Sequence, residues 1–224
     1  YDIVTDIPVA FNITNAEVHD VNAMDGIEYE PRACYIFDKG YWDLGRLFRI
    51  NLLNSFFVIR EKFRPQYEVT AGEDILEGDD NVLKDQTVRF TTKGNRTHYP
   101  SEIRRIVYYA PELKRTFTYY TNNFFLGAGD IALLYKNRWK VETFFKWIKQ
   151  HLQVKKLWGN SENAVRIQIY TAIITYCTVA IIEKTLNLNR SVYEVLRILS
   201  GSLLAKDSIT ELFTQTREPM PVMS

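Results

Sequence analysis

The sequence has few of the residues that a disulfide framework or a zinc finger requires, and it has no apolar run as long as a typical membrane span. It contains two cysteines and three histidines, and His19 has no second His or Cys at metal-ligand spacing. Cys34 and Cys177 lie in apolar runs, so we expect buried thiols in a reducing compartment. The longest apolar run, residues 167–182, is shorter than a typical membrane span, which favours a core helix.

Neither sign of charge predominates. Lys and Arg number 28, Asp and Glu number 27, and the formal net charge is +1. This balance indicates no global attraction to a polyanion, so any nucleic-acid footprint must be local. With 46% hydrophobic residues, the chain can bury a sizeable core. No signal peptide is visible, and because the sequence opens without Met directly on strand-like residues, we expect a fragment that lacks its first elements.

The pattern predicts an α/β fold in which a β-rich segment interrupts the core. We predict a hairpin of two short strands, Ile3-Val4 and residues 7–13, and then a continuous apolar run at residues 33–37, which is typical of a central strand covered on both faces. A helix over residues 43–53 and a strand over residues 55–59 follow. Residues 61–122 are predicted as a β-rich insertion, with an acidic loop at residues 73–85. Helices are predicted for residues 162–186 and 192–199.

Basic residues are interleaved with Tyr and Phe in the predicted insertion. They could form a basic and aromatic surface, and strand alternation on a solvated sheet explains the same residues equally well. The residues are Arg89, Lys93, Arg96, Arg104, Arg105, Lys114 and Arg115.

The most informative stretch is residues 130–152, DIALLYKNRWKVETFFKWIKQHL, which contains no Gly or Pro and is predicted as one helix. At about 100° per residue its side chains sort into two stripes. The first is apolar and is predicted to be a core face: Leu134, Val141, Phe144, Phe145, Ile148 and Leu152. The second is polar and lies beside the first: Tyr135, Arg138, Glu142, Lys146 and Lys149.

Two interpretations of the polar stripe are open. A solvated helix face with Arg-Glu-Lys pairs would explain the spacing alone. However, Glu142 is the only acid in residues 136–156, among seven cations that include Lys155 and Lys156. A lone carboxylate among so many cations suits a cleft that holds a polyanion backbone around one acid.

A second acid, Asp38, follows the apolar run at residues 33–37 and precedes Gly40. An acid at the carboxyl end of a buried strand is where open α/β sheets build sites, although turn and cap chemistry is an equally good reading. Paired carboxylates that hold divalent ions are the usual apparatus for phosphoryl transfer on nucleic acid, and Mg²⁺ fits because it needs few protein carboxylates.

The sequence resembles the bacterial insertion-sequence transposases of the IS-four group. Tyr135, Arg138, Glu142 and Lys149 match the Y-R-E-K signature of that family at its fixed spacing. The segments ITNAEVHDVNAMD, IFDKGY and WGNSENAVRIQIY resemble the same family, so the likeness extends across essentially the whole chain.

The resemblance implies an RNase H-like, retroviral integrase-like core with a helical carboxyl-terminal part. Its first part would be residues 1–60, its β-rich insertion residues 61–122, and its second part residues 123–224. Asp38 would be the second catalytic carboxylate and Glu142 the third, both as ligands of Mg²⁺ or Mn²⁺. The DNA contacts would be Tyr135, Arg138, Lys146 and Lys149.

The resemblance also implies metal-dependent cleavage of transposon ends and strand transfer into target double-stranded DNA. From the resemblance we expect a homodimer that acts on paired ends. We expect it in the bacterial cytoplasm, at the nucleoid and not at a membrane. The first family Asp has no counterpart here, so we expect this chain alone to be inactive. Two alternatives are an inert DNA-binding remnant of a transposase and an RNase H-like nuclease without transposition activity.

Overall fold

A computed structural model describes residues 1–13, 20–74, 81–152, 159, 161–202 and 208–215. The predictions made for His19, Lys155 and Lys156 therefore lie outside the described residues. The chain divides into two compact units, residues 14–139 and residues 1–13 with 140–224.

The larger unit is built on one six-stranded sheet with the order β1-β2-β6-β5-β4-β3. The strands are β1 Cys34–Phe37, β2 Phe56–Arg60, β3 Tyr67–Asp74, β4 Val82–Phe90, β5 Ile103–Ala110 and β6 Arg115–Thr121. Strands β1 and β2 are parallel, and every other pairing is antiparallel. The strands of residues 61–122 thus continue the sheet of β1 and β2, because β6 pairs directly with β2.

Helices cover both faces of this sheet. Helix α1, Leu44–Leu52, connects β1 to β2 and buries Leu47 and Ile50 against one face, together with Phe57 and Ile59 of β2. Helix α3, Ala128–Lys136, packs against the other face, where Val58 is buried. The short helix α2, Lys93–His98, lies between β4 and β5. Alternation along β2 sends successive side chains to opposite faces, so a continuous apolar run is required there.

Strand β1 differs from the prediction of a central strand. It lies at one end of the sheet that the described residues form, and Cys34 at its start is exposed. Cys177 is half-buried. The prediction of two buried thiols was therefore wrong for Cys34, because an edge position leaves the strand open on one side.

Two predictions outside β1 change in detail. The hairpin at the start is a single bridge between Asp2 and Ile7, because the Asp2 carboxylate accepts bonds from Val4 N–H and Thr5 Oγ1 and closes a local turn instead. The acidic segment 73–85 is not one loop. Strand β3 includes its first two residues, β4 begins at Val82, and residues 75–80 lie outside the described part.

The predicted helix over residues 130–152 is two helices. Helix α3 ends at Lys136, and α4 spans Trp139–His151. At the break the Asn137 side-chain amide donates to the carbonyl of Leu133, and the Arg138 N–H donates to Tyr135, three residues back, instead of four. An Asn that bonds to nearby backbone competes with the helical ladder, so periodicity alone does not locate this break.

The smaller unit is helical. Helix α4 buries Phe144 and Ile148 as predicted, against Ile173 and Tyr176 of α5, Glu162–Thr185. Phe145, which was assigned to the same core face, is instead 40% exposed. Helices α6, Val192–Gly201, and α7, Ile209–Gln215, complete the described part of the unit.

Helix α5 is long and apolar enough to cross a membrane when judged by length and composition alone. The core helix of a soluble protein passes the same test, and one such helix is weak evidence for a membrane span. In the described structure 28% of its most apolar window is buried, so much of the predicted core helix is exposed.

Two ion pairs, one between β4 and β5 and one between β4 and the residue before β5, allow a matched stability test. Arg104 is 8% exposed, and its guanidinium donates twice to Asp85 and also to the carbonyls of Asn123 and Leu126. We expect Asp85→Ala to lower the free energy of unfolding by roughly 3 kcal/mol, because it leaves a buried cation without its counter-ion. Denaturation in urea measures the change.

The control is Glu102→Ala, which removes one acid from an exposed pair with Arg89. Its expected effect is less than about 1 kcal/mol. Equal losses in the two variants would contradict the structural role given to Arg104.

Candidate active site around Asp38

The pairing of β1 with β2 decides which side chain faces Asp38. The two strands run in parallel with Ile36 opposite Val58 and Phe37 opposite Ile59. The next pair in this register is Asp38 and Arg60, one residue beyond the last paired position. Because side chains alternate, both point to the face on which Ile36 and Val58 pack, which is the face covered by α3.

The observed contacts agree with this register. Arg60 Nη2 lies 3.6 Å from Asp38 Oδ1, and the same oxygen accepts a 2.6 Å bond from the Lys39 N–H. The Lys39 bond caps the short 3-10 turn Lys39–Tyr41. Asp38 therefore does act as a cap, as one sequence interpretation held, while its side chain stays 40% exposed at the strand end.

Tyr135 approaches the same carboxylate from α3. Its hydroxyl donates to Asp38 Oδ1 at 3.3 Å, its ring lies 4.7 Å from that of Tyr119, and the side chain is 5% exposed. Burial raises the pKa of the phenol, so Tyr135 remains a proton donor at neutral pH. Two residues of the Y-R-E-K signature, Tyr135 and Arg138, lie in this unit. The Arg138 guanidinium stands 5.8 Å above the Tyr135 ring and 5.7 Å from that of Trp139.

Tyr119, Tyr135, Arg138 and Trp139, but not Asp38 itself, line a cavity of about 710 Å³ between α3 and the sheet. Its wall combines cations with aromatic rings, and Tyr108, Phe117, Tyr119, Tyr135 and Trp139 supply the rings. Arg60 and Arg138 lie at the wall, while Lys136 is engaged by Glu112 at 2.7 Å.

The other predicted site residues lie on α4 in the smaller unit. Glu142 is in the first turn of that helix, and Glu142, Lys146 and Lys149 are all exposed. The polar stripe therefore does not continue as one helical line from Tyr135, because the break at residues 137–138 separates α3 from α4. Beneath the stripe, Lys140 bonds to the Ile3 carbonyl and pairs with Asp6 at 2.9 Å.

Sequence reasoning missed Arg60 and Tyr119. A signal for Arg60 was present, since the segments CYIF and FFVI are each followed by a charged residue, Asp38 and Arg60. If two such strands pair in parallel, their terminal charges meet at the same edge. Tyr119 had no comparable signal, because its place depends on the antiparallel pairing of β6 with β2.

Asp38 offers one accessible carboxylate, which is the kind of ligand that Mg²⁺ prefers. Within the described ranges, however, no group of three or more His, Cys, Asp or Glu side chains is arranged to hold a metal ion. The described residues thus supply an accessible ligand but do not by themselves complete a metal site.

Comparison with known proteins identifies the class. The Transposase DDE domain model matches residues 1–178. A transposase designated y4zB from Sinorhizobium fredii is 39% identical over 204 residues, which is 88% of this chain and 55% of that protein. The transposase of insertion sequence element IS4SA from Synechocystis is 30% identical over 210 residues, 91% of this chain and 58% of that protein.

A third relative, named as a transposase for insertion sequence element IS5377 of Geobacillus stearothermophilus, is 34% identical over 140 residues, 62% of this chain and 36% of that protein. The chain belongs to the DDE transposase family. This confirms the family and the RNase H-like α/β class expected from the sequence. Proteins of this family act on DNA and generally use a divalent metal. The chain spans about half the length of the curated relatives it matches.

The role of the Tyr135 hydroxyl can be separated from that of its ring. We expect Tyr135→Phe to change the free energy of unfolding by less than about 1 kcal/mol, because a single long hydrogen bond is lost. Tyr135→Ala should cost about 3 kcal/mol or more, because it leaves a cavity beside Tyr119. Thermal or urea unfolding of the two variants compares them directly. If the Phe variant lost as much as the Ala variant, the hydroxyl bond to Asp38 would be the stabilising contact.

Proposed function

We propose that this chain is part of the catalytic domain of a DNA transposase that cleaves transposon ends and joins them to target DNA. The observation that carries the proposal is the convergence of Tyr135, Arg60 and Asp38 at one strand end. Tyr135 belongs to the Y-R-E-K signature, and Asp38 is the acid to which the family resemblance gives a catalytic role. The proposal concerns the whole protein, because this chain spans about half of its relatives.

Asp38 and Glu142 would hold the divalent metal, Mg²⁺ or Mn²⁺, together with a third carboxylate that the family requires. When bound, such ions activate the attacking hydroxyl and stabilise the leaving oxygen. The residues of this chain orient the carboxylate and the DNA. The Lys39 N–H, Arg60 and the Tyr135 hydroxyl all approach Asp38 Oδ1, which fixes the rotation of the carboxyl group.

Arg138, Lys146 and Lys149 would bind phosphates of the DNA near the scissile bond, and Tyr135 would do so beside Asp38. Cations that hold a phosphodiester in line with its attacking group contribute by positioning and by stabilising charge that develops in the transition state. Because α4 carries Glu142 with Lys146 and Lys149 on one polar side, one rigid helix would present both the acid and the phosphate contacts.

The assembly and the compartment follow from the same proposal. We expect a homodimer on paired transposon ends in the bacterial cytoplasm, associated with the nucleoid and not with a membrane. Sedimentation of the full-length protein with end DNA measures the stoichiometry. A single copy bound to paired ends would refute the dimer.

The catalytic assignment is tested in the full-length protein. We expect Glu142→Ala and Asp38→Ala each to abolish cleavage of end DNA in Mg²⁺ while binding of the same DNA persists, because the carboxylates act on the metal and not on the phosphates. Gel assays of cleavage and of binding provide the two readouts. Glu162→Ala, at an exposed acid that pairs with Arg166 on α5, is the control and should cleave normally. Retained cleavage by Glu142→Ala would refute the assignment.

The phosphate contacts of α4 are tested by salt dependence. Lys149→Ala should weaken DNA binding and reduce the slope of log K against log salt concentration by about 0.9, the value for one lost phosphate contact on duplex DNA. Lys140→Ala is the matched control, because Lys140 is engaged by Asp6 and by the Ile3 carbonyl. An unchanged slope in the Lys149 variant would remove that residue from the interface. Arg138→Ala should behave as Lys149→Ala does.

A further inference from the structure

A second groove opens at the end of β2, in the larger unit. It has a volume of about 700 Å³ and lies between the segment 61–67 and strand β6. Strand β5 contributes one residue to it, Arg105. Arg60 lines both this groove and the aromatic cavity beside Asp38, so the groove leads to the candidate active site.

The charge of this groove is strongly one-sided. Among the residues that the structure describes, one acid, Glu61, lines it, against six cations: Lys39, Arg60, Lys62, Arg64, Arg105 and Arg115. The chain as a whole carries a net charge of only +1, so this concentration is a local feature and not a reflection of composition. A concave surface lined by one sign of charge concentrates its field and raises the local concentration of oppositely charged ligands.

Several of these cations are available to a ligand. Lys62, Arg64 and Arg115 are exposed, and none of them takes part in an ion pair between described residues. Other basic residues of the same strands are committed within the protein. Arg104 is bound by Asp85, and Arg89 pairs with Glu102. The structure thus divides the basic residues of the β-rich segment into structural and groove-lining sets.

The groove-lining arginines are held in place by aromatic rings. The Arg105 guanidinium lies 5.0 Å from the centre of the Tyr67 ring and donates to Gln86 at 3.0 Å. The Arg60 guanidinium lies 5.7 Å from the Phe117 ring. Such contacts fix a guanidinium without neutralising it, so the positive charge remains available at the surface.

Glu61 offsets part of this charge. It is half-buried and accepts a bond from the Tyr120 hydroxyl at 3.3 Å. Burial raises the pKa of its carboxyl group, while Arg105 and Arg64 act in the opposite direction. Its carboxylate therefore interacts with two of the groove arginines, so removing it would raise the net positive charge of the groove.

We propose that this groove binds the phosphate backbone of DNA and guides it toward Asp38. The spread of cations over a strand end, the segment after it, β5 and β6 suits a series of phosphates better than one small anion. Mixed Lys and Arg contacts to phosphate position a duplex without reading its sequence. Binding of DNA by the groove does not depend on the proposed function. Guidance of the DNA toward Asp38 does, because it takes Asp38 to be the catalytic acid.

The test compares two double variants with the same loss of charge. Lys62→Ala/Arg64→Ala removes two exposed groove cations, and Lys93→Ala/Arg96→Ala removes an exposed Lys and Arg from α2, outside the groove. Binding of a mixed-sequence DNA duplex is measured over a range of salt concentrations with chelator present, so no cleavage occurs. The groove variant should reduce the slope of log K against log salt by about 1.8, at 0.9 for each phosphate contact, while the α2 variant leaves it unchanged.

A third variant distinguishes a lost contact from a damaged fold. Glu61→Gln removes the one acid that lines the groove in the described part of the chain and keeps an acceptor for the Tyr120 hydroxyl, so it should tighten DNA binding. Equal slopes for the two double variants, or no gain from Glu61→Gln, would overturn the proposal. Cleavage by the full-length protein with unchanged groove slopes would leave the proposed function standing and refute the groove. A reduced slope in the groove variant, without cleavage by the full-length protein, would support the groove and refute the proposed function.

Discussion

The register between β1 and β2 is the constraint on which the candidate site depends. Two apolar strands of similar length pair in parallel, and each ends in a charged residue, so Asp38 and Arg60 meet at one edge of the sheet. A slip of one residue would turn every side chain of β1 to the opposite face, burying Asp38 against α1 and sending Phe37 toward α3. Hydrophobic packing on both faces therefore decides where the acid lies.

Part of this arrangement follows from the sequence. The strand before Asp38, the helix after it and the strands of residues 82–121 have local signals: continuous apolar runs, an Asp cap at Asp43 and a turn at residues 111–112. The family signature directed attention to Tyr135 and Glu142. These features depend on side chains within a few positions of one another, which is the range over which periodicity and capping are informative.

What could not be predicted depends on contacts between distant segments. The break at Asn137 arises from one side-chain amide bonding to its own helix, in a stretch whose periodicity is uninterrupted. The place of β1 at one end of the sheet that the described residues form is a property of sheet order, which no local pattern contains. Contacts between distant segments also decide whether a basic residue is buried in an ion pair or exposed at the surface. Arg104 and Arg105 are adjacent in sequence, but one is buried with Asp85 and the other lines the groove.

Strand alternation explains that last difference. Adjacent residues of β5 face opposite sides of the sheet, so Arg104 meets the carbonyls that follow β6, and Arg105 meets Tyr67 at the start of β3.

The buried position of Tyr135 limits how this residue could contact DNA. Its hydroxyl is held within 3.3 Å of Asp38 in a side chain that is 5% exposed, so it could touch a phosphate only if that phosphate lay directly beside the acid. For this tyrosine, binding DNA and orienting the Asp38 carboxylate would therefore be a single role, exercised at one place in the fold.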